Sequence, residues 1–225
     1  MKPVGQTLFS RLKAACATEW DAFVRHPFVL ELGDGTLRQE CFRHYPGQDY
    51  LFLMQFTRAY GLAVYKSDNL EDMRQAAAGM AAILDEMGLH VKYCHEWGIS
   101  QDEMASLAEA RATTAYTRYV LDKGLAGDLL DLHVALAPCV IGYAEIGTSL
   151  RLDQAESADN NPYRAWIDSY AETRYQDLAR TQTAQLDRLM AARGGPGRFP
   201  ALVEVFRQAV RLETEFWETG MTLAQ

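Results

Sequence analysis

The amino-acid sequence predicts an all-α protein, and three observations lead to that expectation. Apolar residues recur with the 3.6-residue period of a helix over almost the whole chain, and no stretch alternates with the two-residue period of a strand. The breaks between periodic stretches are short. The 225 residues are 48% hydrophobic and 23% charged, which is typical of a globular chain long enough for one sizeable core or at most two small ones. We therefore expect residues 1–225 to form a single helical domain.

Each predicted helix is a periodic stretch bounded by a break that contains residues typical of turns. The stretches cover residues 6–24, 36–66, 69–97, 101–123, 126–152, 161–190 and 199–223. The breaks fall at residues 26–35, 67–69, 97–100, 123–124, 156–162 and 194–197. Because the sequence has no internal repeat, heptad seam or long linker, a compact bundle is the architecture that buries these apolar faces.

Local signals support two of the helix starts and complicate one helix interior. Ser100 followed by Glu103 forms a capping box, and Asn161 places a cap residue before a proline at the first helical position. In contrast, Pro46 and Gly47 fall inside the second predicted helix. An interior proline costs about 3 kcal/mol of helix stability, so we expect a kink or a loosened turn there.

Composition and charge exclude several classes of protein. A net charge of −8, a pI near 5.1 and the lack of a Lys/Arg cluster argue against a nucleic-acid partner. The first 20 residues contain four charged side chains and no apolar core of a signal peptide, so we expect a cytoplasmic protein without a membrane partner. The four cysteines form no CxxC motif, which favours reduced thiols over disulfides or a zinc site.

Two carboxylates fall on helix faces that are otherwise apolar. At 100° per residue, Asp49 lies within roughly 40° of the line through Phe52 and Phe56. Glu213 lies in the middle of the apolar face of the last predicted helix, between Val210 and Trp217. Burying an unpaired carboxylate is costly, so each residue must have polar partners or line a polar cavity. A structural ion pair is the alternative role for either residue.

A thiol and several tyrosines are also predicted to face inward. Cys139 and Tyr143 lie one turn apart on the buried face of the fifth predicted helix, where Pro138 distorts the turn before the cysteine. A lone cysteine on such a face is ordinarily a small buried hydrophobe. Together with the two carboxylates, however, the inward side chains describe an aromatic-walled pocket with titratable groups. The inward tyrosines are Tyr45, Tyr116, Tyr119, Tyr143 and Tyr170.

A series of motifs runs in order along nearly the whole chain. The motifs are HPFV (26–29), GDGTL (33–37), YxxQDYxFL (45–53), TTAYTRY (113–119), LAPCxxGYxEIG (136–147), NPYxxWIDxY (161–170) and LExxFW (212–217). Each motif alone is weak, whereas the series resembles the TenA family, the thiaminase II or aminopyrimidine aminohydrolase proteins of thiamin salvage. Pro46 and Gly47 depart from this pattern, because the family more usually has helix-compatible residues before Gln48.

This resemblance implies a fold, an assembly and an activity. The family fold is a single all-helical domain of the haem-oxygenase-like type, usually assembled as a homotetramer, and it needs no metal or organic cofactor. Its members hydrolyse a small-molecule pyrimidine at the exocyclic methylene carbon. Thiamin then loses its thiazole, or aminomethylpyrimidine loses ammonia, and both reactions give hydroxymethylpyrimidine. Which of the two compounds is the physiological substrate stays open at this stage.

The resemblance also assigns roles to residues of this sequence. It implies that Cys139 is the nucleophile, that Asp49 binds the pyrimidine and takes part in the chemistry, and that Glu213 is the acid and base. The residues that match the family's aromatic pocket wall are Phe52, Tyr116, Tyr143 and Tyr170. Periodicity independently turns Cys139, Asp49 and Glu213 toward the interior.

Two other classes of function are open alternatives. Glu86 with His90, and Glu40 with His44, have the four-residue spacing that could serve a di-iron oxygenase. Di-iron bundles use paired ExxH motifs, however, and ExxH does not occur in the sequence, so we expect no metal site. A non-catalytic regulatory protein that binds a pyrimidine is the second alternative. His95 and His133 fit ordinary helix positions, either solvated or satisfied by neighbours.

Overall fold

The computed structural model describes residues 6–153 and 160–224, which form α-helices and one π-helical turn without any strand in these ranges. The α-helices are α1 (Leu8–Ala15), α2 (Ala17–Val24), α3 (Pro27–Asp34), α4 (Gln39–Lys66), α5 (Leu70–Glu96), α6 (Gln101–Ser106), α7 (Arg111–Ala126), α8 (Leu129–Ala137), α9 (Tyr143–Asp153), α10 (Arg164–Ala171), α11 (Thr173–Arg193) and α12 (Arg198–Thr222). The π-helical turn, Pro138–Gly142, lies between α8 and α9. The prediction of an all-α protein is confirmed.

The chain divides into two compact units. The first unit comprises Met1–Leu37 and His133–Thr214, and the second comprises Arg38–Leu132 and Glu215–Gln225. The prediction of one domain over residues 1–225 stays a prediction.

The first unit has an aromatic core where α1, α2 and α12 meet. The rings of Trp20 and Phe206 are stacked with centroids 5.7 Å apart, and Phe9 packs edge-on against both. At the edge of this core, Glu19 accepts hydrogen bonds from Arg207 Nη1 at 2.8 Å and from Arg211 Nη2 at 3.0 Å. These contacts fix α2 against α12 within the unit.

Helix α3 occupies a segment that the sequence predicted to be a break, and this prediction is wrong. Pro27 is the first residue of the helix, where its missing N–H is no loss, and His26 Nδ1 accepts the Phe28 N–H at 3.2 Å. Gly35 ends the helix with a φ of 80°, a left-handed conformation that favours glycine. The Gly and Pro residues therefore bound a short helix here.

Asn161 holds the end of α3 in place. Its Nδ2 donates to the carbonyl oxygens of Leu32 and Gly33 at 3.0 and 2.8 Å, and its Oδ1 accepts the Tyr163 N–H at 2.8 Å. The helix starts at Arg164 with Tyr163 at its N-cap, so the prediction of a cap at Asn161 and a first helical residue at Pro162 is wrong. Most of the predicted break at 156–162 lies outside the described residues, which resume at residue 160.

The second unit is built around the long helix α4, which packs against α5 and α7. Helix α4 runs through Pro46 without a change of helix type, although the sequence predicted a kink or a loosened turn. The break at 67–69 is confirmed, and both hydrogen bonds of the Ser100–Glu103 capping box are present. The predicted helix over 101–123 is wrong, because residues 107–110 separate α6 from α7.

The predicted break at 123–124 is also displaced, since α7 continues to Ala126. Gly124 lies inside the helix, where a Cβ atom would approach a Leu62 methyl carbon to 2.7 Å, so this glycine serves helix packing. The Lys66 ammonium donates to the carbonyls of Gly124, Leu125 and Gly127. A cation on the last carbonyls stabilises the end of a helix.

Three further predicted helices are interrupted, two of them at residues that carry no strong breaker signal and one at the turn that begins with Pro138. Cys16 separates α1 from α2, Glu172 separates α10 from α11, and the π-helical turn separates α8 from α9. Cys16 caps α1 through its own N–H, which bonds to the Leu12 and Lys13 carbonyls at 3.1 Å. Such interruptions depend on tertiary packing, which a periodic sequence pattern does not reveal.

One helical stretch among the described residues could cross a membrane by length and composition alone. It covers Leu129–Leu152, with a mean hydropathy of 1.5 over its most apolar part, and 89% of that part is buried inside the protein. Core helices of soluble proteins have the same character, so the stretch is weak support for a membrane span.

Candidate active site

Cys139 lies on the π-helical turn Pro138–Gly142, and all five residues of the turn are buried. Pro138 has no N–H to donate to the preceding helical turn, which favours a local change in the hydrogen-bond pattern. The distortion predicted from the sequence is therefore a π-helical turn that contains the cysteine itself. Single π-helical turns inside α-helices are rare and are frequent at functional sites. The Cys139 side chain is 8% exposed, so little of it faces solvent.

Tyr143 is the first residue of α9, directly after the π-helical turn. Its ring lies 5.1 Å from the Tyr170 ring and 6.1 Å from the Trp166 ring, and Trp166 and Tyr170 are 4.6 Å apart. The three rings form an aromatic cluster between α9 and α10. Tyr143 and Tyr170 were predicted as pocket residues, whereas Trp166 was not.

Two features that the sequence analysis did not single out as site features hold this aromatic cluster together. A Cβ atom at Gly147 would lie 2.7 Å from Tyr170 Cβ and from the Tyr170 carbonyl carbon, so only glycine allows α10 to approach α9 this closely. Gln176 Nε2 donates to the carbonyls of Ala144 and Tyr170 at 2.9 and 2.8 Å. Gly147 is part of the GYxEIG motif, but its role depends on a helix that lies 23 residues further along the chain.

Glu213 lies on α12 in the first unit and is 1% exposed, as predicted from its place on the apolar face. Its neighbours in sequence, Leu212 and Val210, are also buried. Burial of a carboxyl in such surroundings penalises the charged form.

Asp49 and two of the predicted pocket aromatics lie in the second unit. Asp49 and Phe52 are each 4% exposed, and Tyr116 is fully buried. Asp49 and Phe52 lie on one face of α4, three residues apart. The Phe52 ring is 4.9 Å from the Tyr116 ring and 5.6 Å from the Phe216 ring. The second unit therefore presents a carboxylate beside a group of packed aromatic rings.

Cys94 on α5 is a second thiol of interest in the same unit. Burial, with a further contribution from the negative charge of Asp49, raises the pKa of Cys94 to about 12. The thiol is therefore protonated near neutral pH, which makes it a poor nucleophile. From the sequence, Cys94 is expected only to be a reduced thiol. The proximity of Cys94 to Asp49 depends on the packing of α5 against α4, which the sequence pattern does not show.

The seven predicted site residues are all buried, and they are distributed over both units. Cys139, Tyr143, Tyr170 and Glu213 belong to the first unit. Asp49, Phe52 and Tyr116 belong to the second unit. Contacts between rings join Tyr143 to Tyr170 and Phe52 to Tyr116. The catalytic and binding roles of all seven stay predictions at this point.

Glu40 and His44, which the sequence analysis considered as metal ligands, contact other protein groups. Glu40 pairs with Arg38, and His44 Nε2 lies 3.2 Å from the Ala224 carbonyl oxygen. The side chain of His90, which was paired with Glu86 in the sequence analysis, lies outside the described residues. Where side chains are described, no three or more His, Cys, Asp or Glu residues are grouped to hold a metal ion.

His133 is one of the histidines that the sequence assigns to ordinary helix positions, and the structure buries it. It is 2% exposed, and its Nδ1 lies 3.2 Å from Gln182 Nε2. This contact joins α8 to α11 inside the first unit.

Two surface grooves flank α9 in the first unit. One lies between α9 and α11, the other lies between α9 and the pair α1 and α2, and both include Glu145 and Ser149. Glu145 accepts hydrogen bonds from Lys13 Nζ at 2.6 and 2.8 Å and from Trp20 Nε1 at 3.1 Å. Neither groove is lined by a predicted site residue, and the Glu145 contacts have a structural role.

Comparison with known proteins places these features in a family. The chain matches the sequence profile of the TENA/THI-4/PQQC family over residues 14–223. An aminopyrimidine aminohydrolase from Halalkalibacterium halodurans is 37% identical over 202 residues, which are 88% of this chain and 88% of that protein. The crystal structure of a TenA family transcription regulator from a Silicibacter species is 40% identical, with a TM-score of 0.91 over 98% of this chain and 99% of that one.

A more distant structure bears on the fold alone. A domain of unknown function with a haem-oxygenase-like fold from Shewanella denitrificans is 14% identical, with a TM-score of 0.75 over 96% of this chain and 92% of that one. The predicted haem-oxygenase-like fold is thus confirmed. Because the family profile covers nearly the whole sequence, the chain belongs to the TENA/THI-4/PQQC family.

Proposed function

We propose that the protein hydrolyses an aminopyrimidine at its exocyclic methylene carbon in thiamin salvage. The substrate is aminomethylpyrimidine or thiamin, and the pyrimidine product is hydroxymethylpyrimidine. Family membership and the 37% identity to an aminopyrimidine aminohydrolase support this function. The observation that carries the proposal is the position of Cys139, the residue that matches the family nucleophile, on a buried π-helical turn.

A covalent route explains why a thiol is needed. The Cys139 thiolate adds to the ring carbon next to the carbon that bears the CH2 group, and a C–S bond forms while a ring nitrogen takes a proton from Glu213. Ring electrons then break the bond between the CH2 group and the leaving group, which departs as ammonia from a protonated aminomethyl group or as neutral thiazole from the thiazolium of thiamin. Water adds to the exocyclic methylene and gives up one proton to solvent. The C–S bond then breaks to release the thiolate, and the ring nitrogen returns its proton to Glu213 as the aromatic ring re-forms.

Asp49 and the aromatic residues bind the pyrimidine in this proposal. The Asp49 carboxylate accepts hydrogen bonds from the 4-amino group and orients the ring. Phe52, Tyr116, Tyr143 and Tyr170 provide flat apolar surfaces on which a pyrimidine can stack. Tyr143 also follows Cys139 by one helical turn, and we assign it a hydrogen bond to the thiol or to the proton that the thiol releases.

The π-helical turn helps a buried thiol to react. The turn sets Cys139 apart from the regular helices α8 and α9 on either side, and such turns are frequent at functional sites. A thiol of ordinary pKa, about 8.5, also needs a nearby acceptor or positive potential to form a thiolate near pH 7. Tyr143 is the candidate for this role.

The test is a hydrolysis assay on purified protein with each of the two compounds. We expect release of ammonia from aminomethylpyrimidine or of thiazole from thiamin, with hydroxymethylpyrimidine formed in equal amount. Cys139→Ser is expected to abolish turnover and to keep the parental circular dichroism. Cys16→Ser changes a buried thiol between α1 and α2 and serves as the matched control. Parental turnover by Cys139→Ser contradicts the covalent route, and no turnover of either compound by the parental protein contradicts the function.

A second candidate function is a regulatory protein that binds a pyrimidine without turnover. Its support is the 40% identity to a protein described as a TenA family transcription regulator. Calorimetry with hydroxymethylpyrimidine and the hydrolysis assay together separate the two candidates. A regulator binds the pyrimidine in the calorimeter and gives no product in the assay. The net charge of −8 argues against direct binding of DNA by this chain.

Family resemblance also supports an assembly and a location. We propose a homotetramer in the cytoplasm that needs no metal or organic cofactor. Light scattering after size-exclusion chromatography measures the mass of the assembly directly. A mass of one chain, 25.3 kDa, contradicts this assembly.

A further inference from the structure

Gln48 on α4 has a buried side-chain amide that makes three hydrogen bonds to one short segment. The side chain is 3% exposed, and Nε2 donates to the Ala108 carbonyl at 3.0 Å. Its Oε1 accepts the Ala110 N–H at 2.9 Å and the Thr113 hydroxyl at 2.7 Å. These contacts hold the connection between α6 and α7 and the first turn of α7 against α4.

Two further contacts attach the same connection to α4. A Cβ atom at Gly47 would lie 2.5 Å from a Leu107 methyl carbon, so the absence of a side chain at position 47 makes room for Leu107. On the outer side, Glu109 accepts hydrogen bonds from Gln55 Nε2 at 3.1 Å and from Arg118 Nη2 at 2.7 Å. Residues 107–110 form the connection between α6 and α7. Gly47 makes room for its first residue, Leu107, and Gln48 is hydrogen-bonded to its last residue, Ala110.

The connection lies beside residues that the proposed function uses. Gln48 directly precedes Asp49, and Thr113 precedes Tyr116 by three residues, almost one turn of α7. The ring of Tyr116 packs against Phe52, which lies on the same face of α4 as Asp49. The Gln48 amide is therefore the polar link between the helix turn of Asp49 and the helix turn of Tyr116.

We propose that Gln48 is a positioning residue for pyrimidine binding, which rests on the proposed function. Its amide fixes the distance between Asp49 and Tyr116 by joining α4 to the start of α7. Buried polar groups that lose their partners are destabilised, so without Gln48 the Ala108 carbonyl and the Ala110 N–H must move to find others. A displacement of about 1 Å in a binding group can reduce activity by a factor on the order of 100.

Gln48→Met tests this proposal because methionine has a similar volume and cannot make the three hydrogen bonds. Thr113→Val is the milder companion variant, since it removes one donor to Gln48 Oε1 and leaves Ala110 bonded. Asn161→Ala is the matched control. It also loses three side-chain hydrogen bonds, which hold α3 and Tyr163 within the first unit.

The measurements are the kcat and KM of hydrolysis and the Kd for hydroxymethylpyrimidine from calorimetry. We expect Gln48→Met to raise KM and Kd by a factor of about 10 to 100 with a smaller change in kcat. Thr113→Val is expected to change them in the same direction by a smaller factor, and Asn161→Ala to leave KM and Kd at the parental values. Assays are run well below the unfolding midpoint of every variant.

The outcomes separate this inference from the proposed function. If the parental protein hydrolyses either compound, and if Gln48→Met and Thr113→Val both keep the parental KM and Kd, Gln48 has no positioning role. The same conclusion holds if Asn161→Ala raises KM and Kd as strongly as Gln48→Met, because the effect then follows general stability. If the parental protein binds the pyrimidine without hydrolysis, the hydrolase function fails, and weaker binding by Gln48→Met still supports the positioning role. If the parental protein neither hydrolyses nor binds a pyrimidine, both proposals are wrong.

Discussion

Gly147 and Tyr170 are in direct backbone contact, with α9 and α10 so close that a Cβ atom on residue 147 would lie 2.7 Å from Tyr170 Cβ. This approach places the Tyr170 ring 5.1 Å from the Tyr143 ring, next to the π-helical turn of Cys139. The aromatic cluster of the first unit therefore depends on the absence of a side chain at position 147.

Gly147→Ala is expected to destabilise the protein, because the new methyl group meets backbone atoms that cannot move independently. Overpacking of this kind typically costs about 1–3 kcal/mol, and we expect a loss of activity as Tyr170 is displaced. The measurement is the free energy of unfolding in urea, together with kcat/KM. Gly61→Ala is the matched control in α4, since a Cβ atom there meets nothing within 4 Å and alanine favours a helix by about 1 kcal/mol. Equal stability changes in the two variants would contradict the close-contact explanation.

Glu213→Gln is expected to lower kcat more than it changes KM. The amide keeps the size and most of the polarity of the carboxyl group but cannot deliver the proton that the ring nitrogen needs as the thiolate adds. Steady-state kinetics at several pH values separates the two constants. A variant with parental kcat and raised KM would assign Glu213 to binding instead of proton transfer.

Asp49→Ala is expected to weaken substrate binding, because the amino group of the pyrimidine loses its acceptor. The same variant removes a negative charge near Cys94, so the pKa of Cys94 should fall from about 12 while burial still holds it above the usual value. Kinetics reports the first effect, and the rate of alkylation of Cys94 between about pH 9 and 11 reports the second. An unchanged KM would argue against the assigned role of Asp49.

Glu19→Gln is expected to lower stability at neutral pH but not in acid. The hydrogen bond from Arg207 lowers the pKa of Glu19 below its usual value of about 4.3. A carboxyl with a depressed folded-state pKa stabilises the protein above its unfolded-state pKa, and this contribution is lost as pH falls through the folded-state value. We expect a difference of about 1 kcal/mol between parental protein and variant at pH 7.

The measurement for Glu19 is urea unfolding at pH 7 and near pH 3. The difference between parental protein and Glu19→Gln should shrink in acid. Asp21→Asn is the control, because Asp21 and Arg25 form an exposed pair separated by 3.9 Å, and such pairs contribute little. A difference that persists unchanged at pH 3 would mean that the variant acts by a route other than the ion pair.

The helical class and the inward residues could be predicted because they depend on local periodicity. Asp49, Cys139 and Glu213 are each buried, as the apolar pattern around them indicated. The capping box at Ser100 was likewise predictable, since both of its partners lie within four residues. Our proposal that these three residues act on one substrate is supported by the family resemblance, and the experiments above test it.

Features that depend on distant partners were not predictable from the pattern. Gln48 binds a segment about 60 residues away, and Gln176 binds carbonyls on two other helices. Helix α3 was missed because Pro27 was interpreted as a break, although a proline in the first turn is compatible with a helix. When the hydrogen-bond partner of a polar side chain is distant in sequence, the partner can be identified only from the folded structure.

The high pKa of Cys94 has a consequence for the chemical durability of the protein. Peroxides and electrophiles attack the thiolate form of cysteine, and a buried sulfur that keeps its proton near neutral pH is a slow target. Burial, together with the acidic group beside that sulfur, thus protects it from conversion to sulfenic acid, so mild oxidants should spare this position in the intact protein.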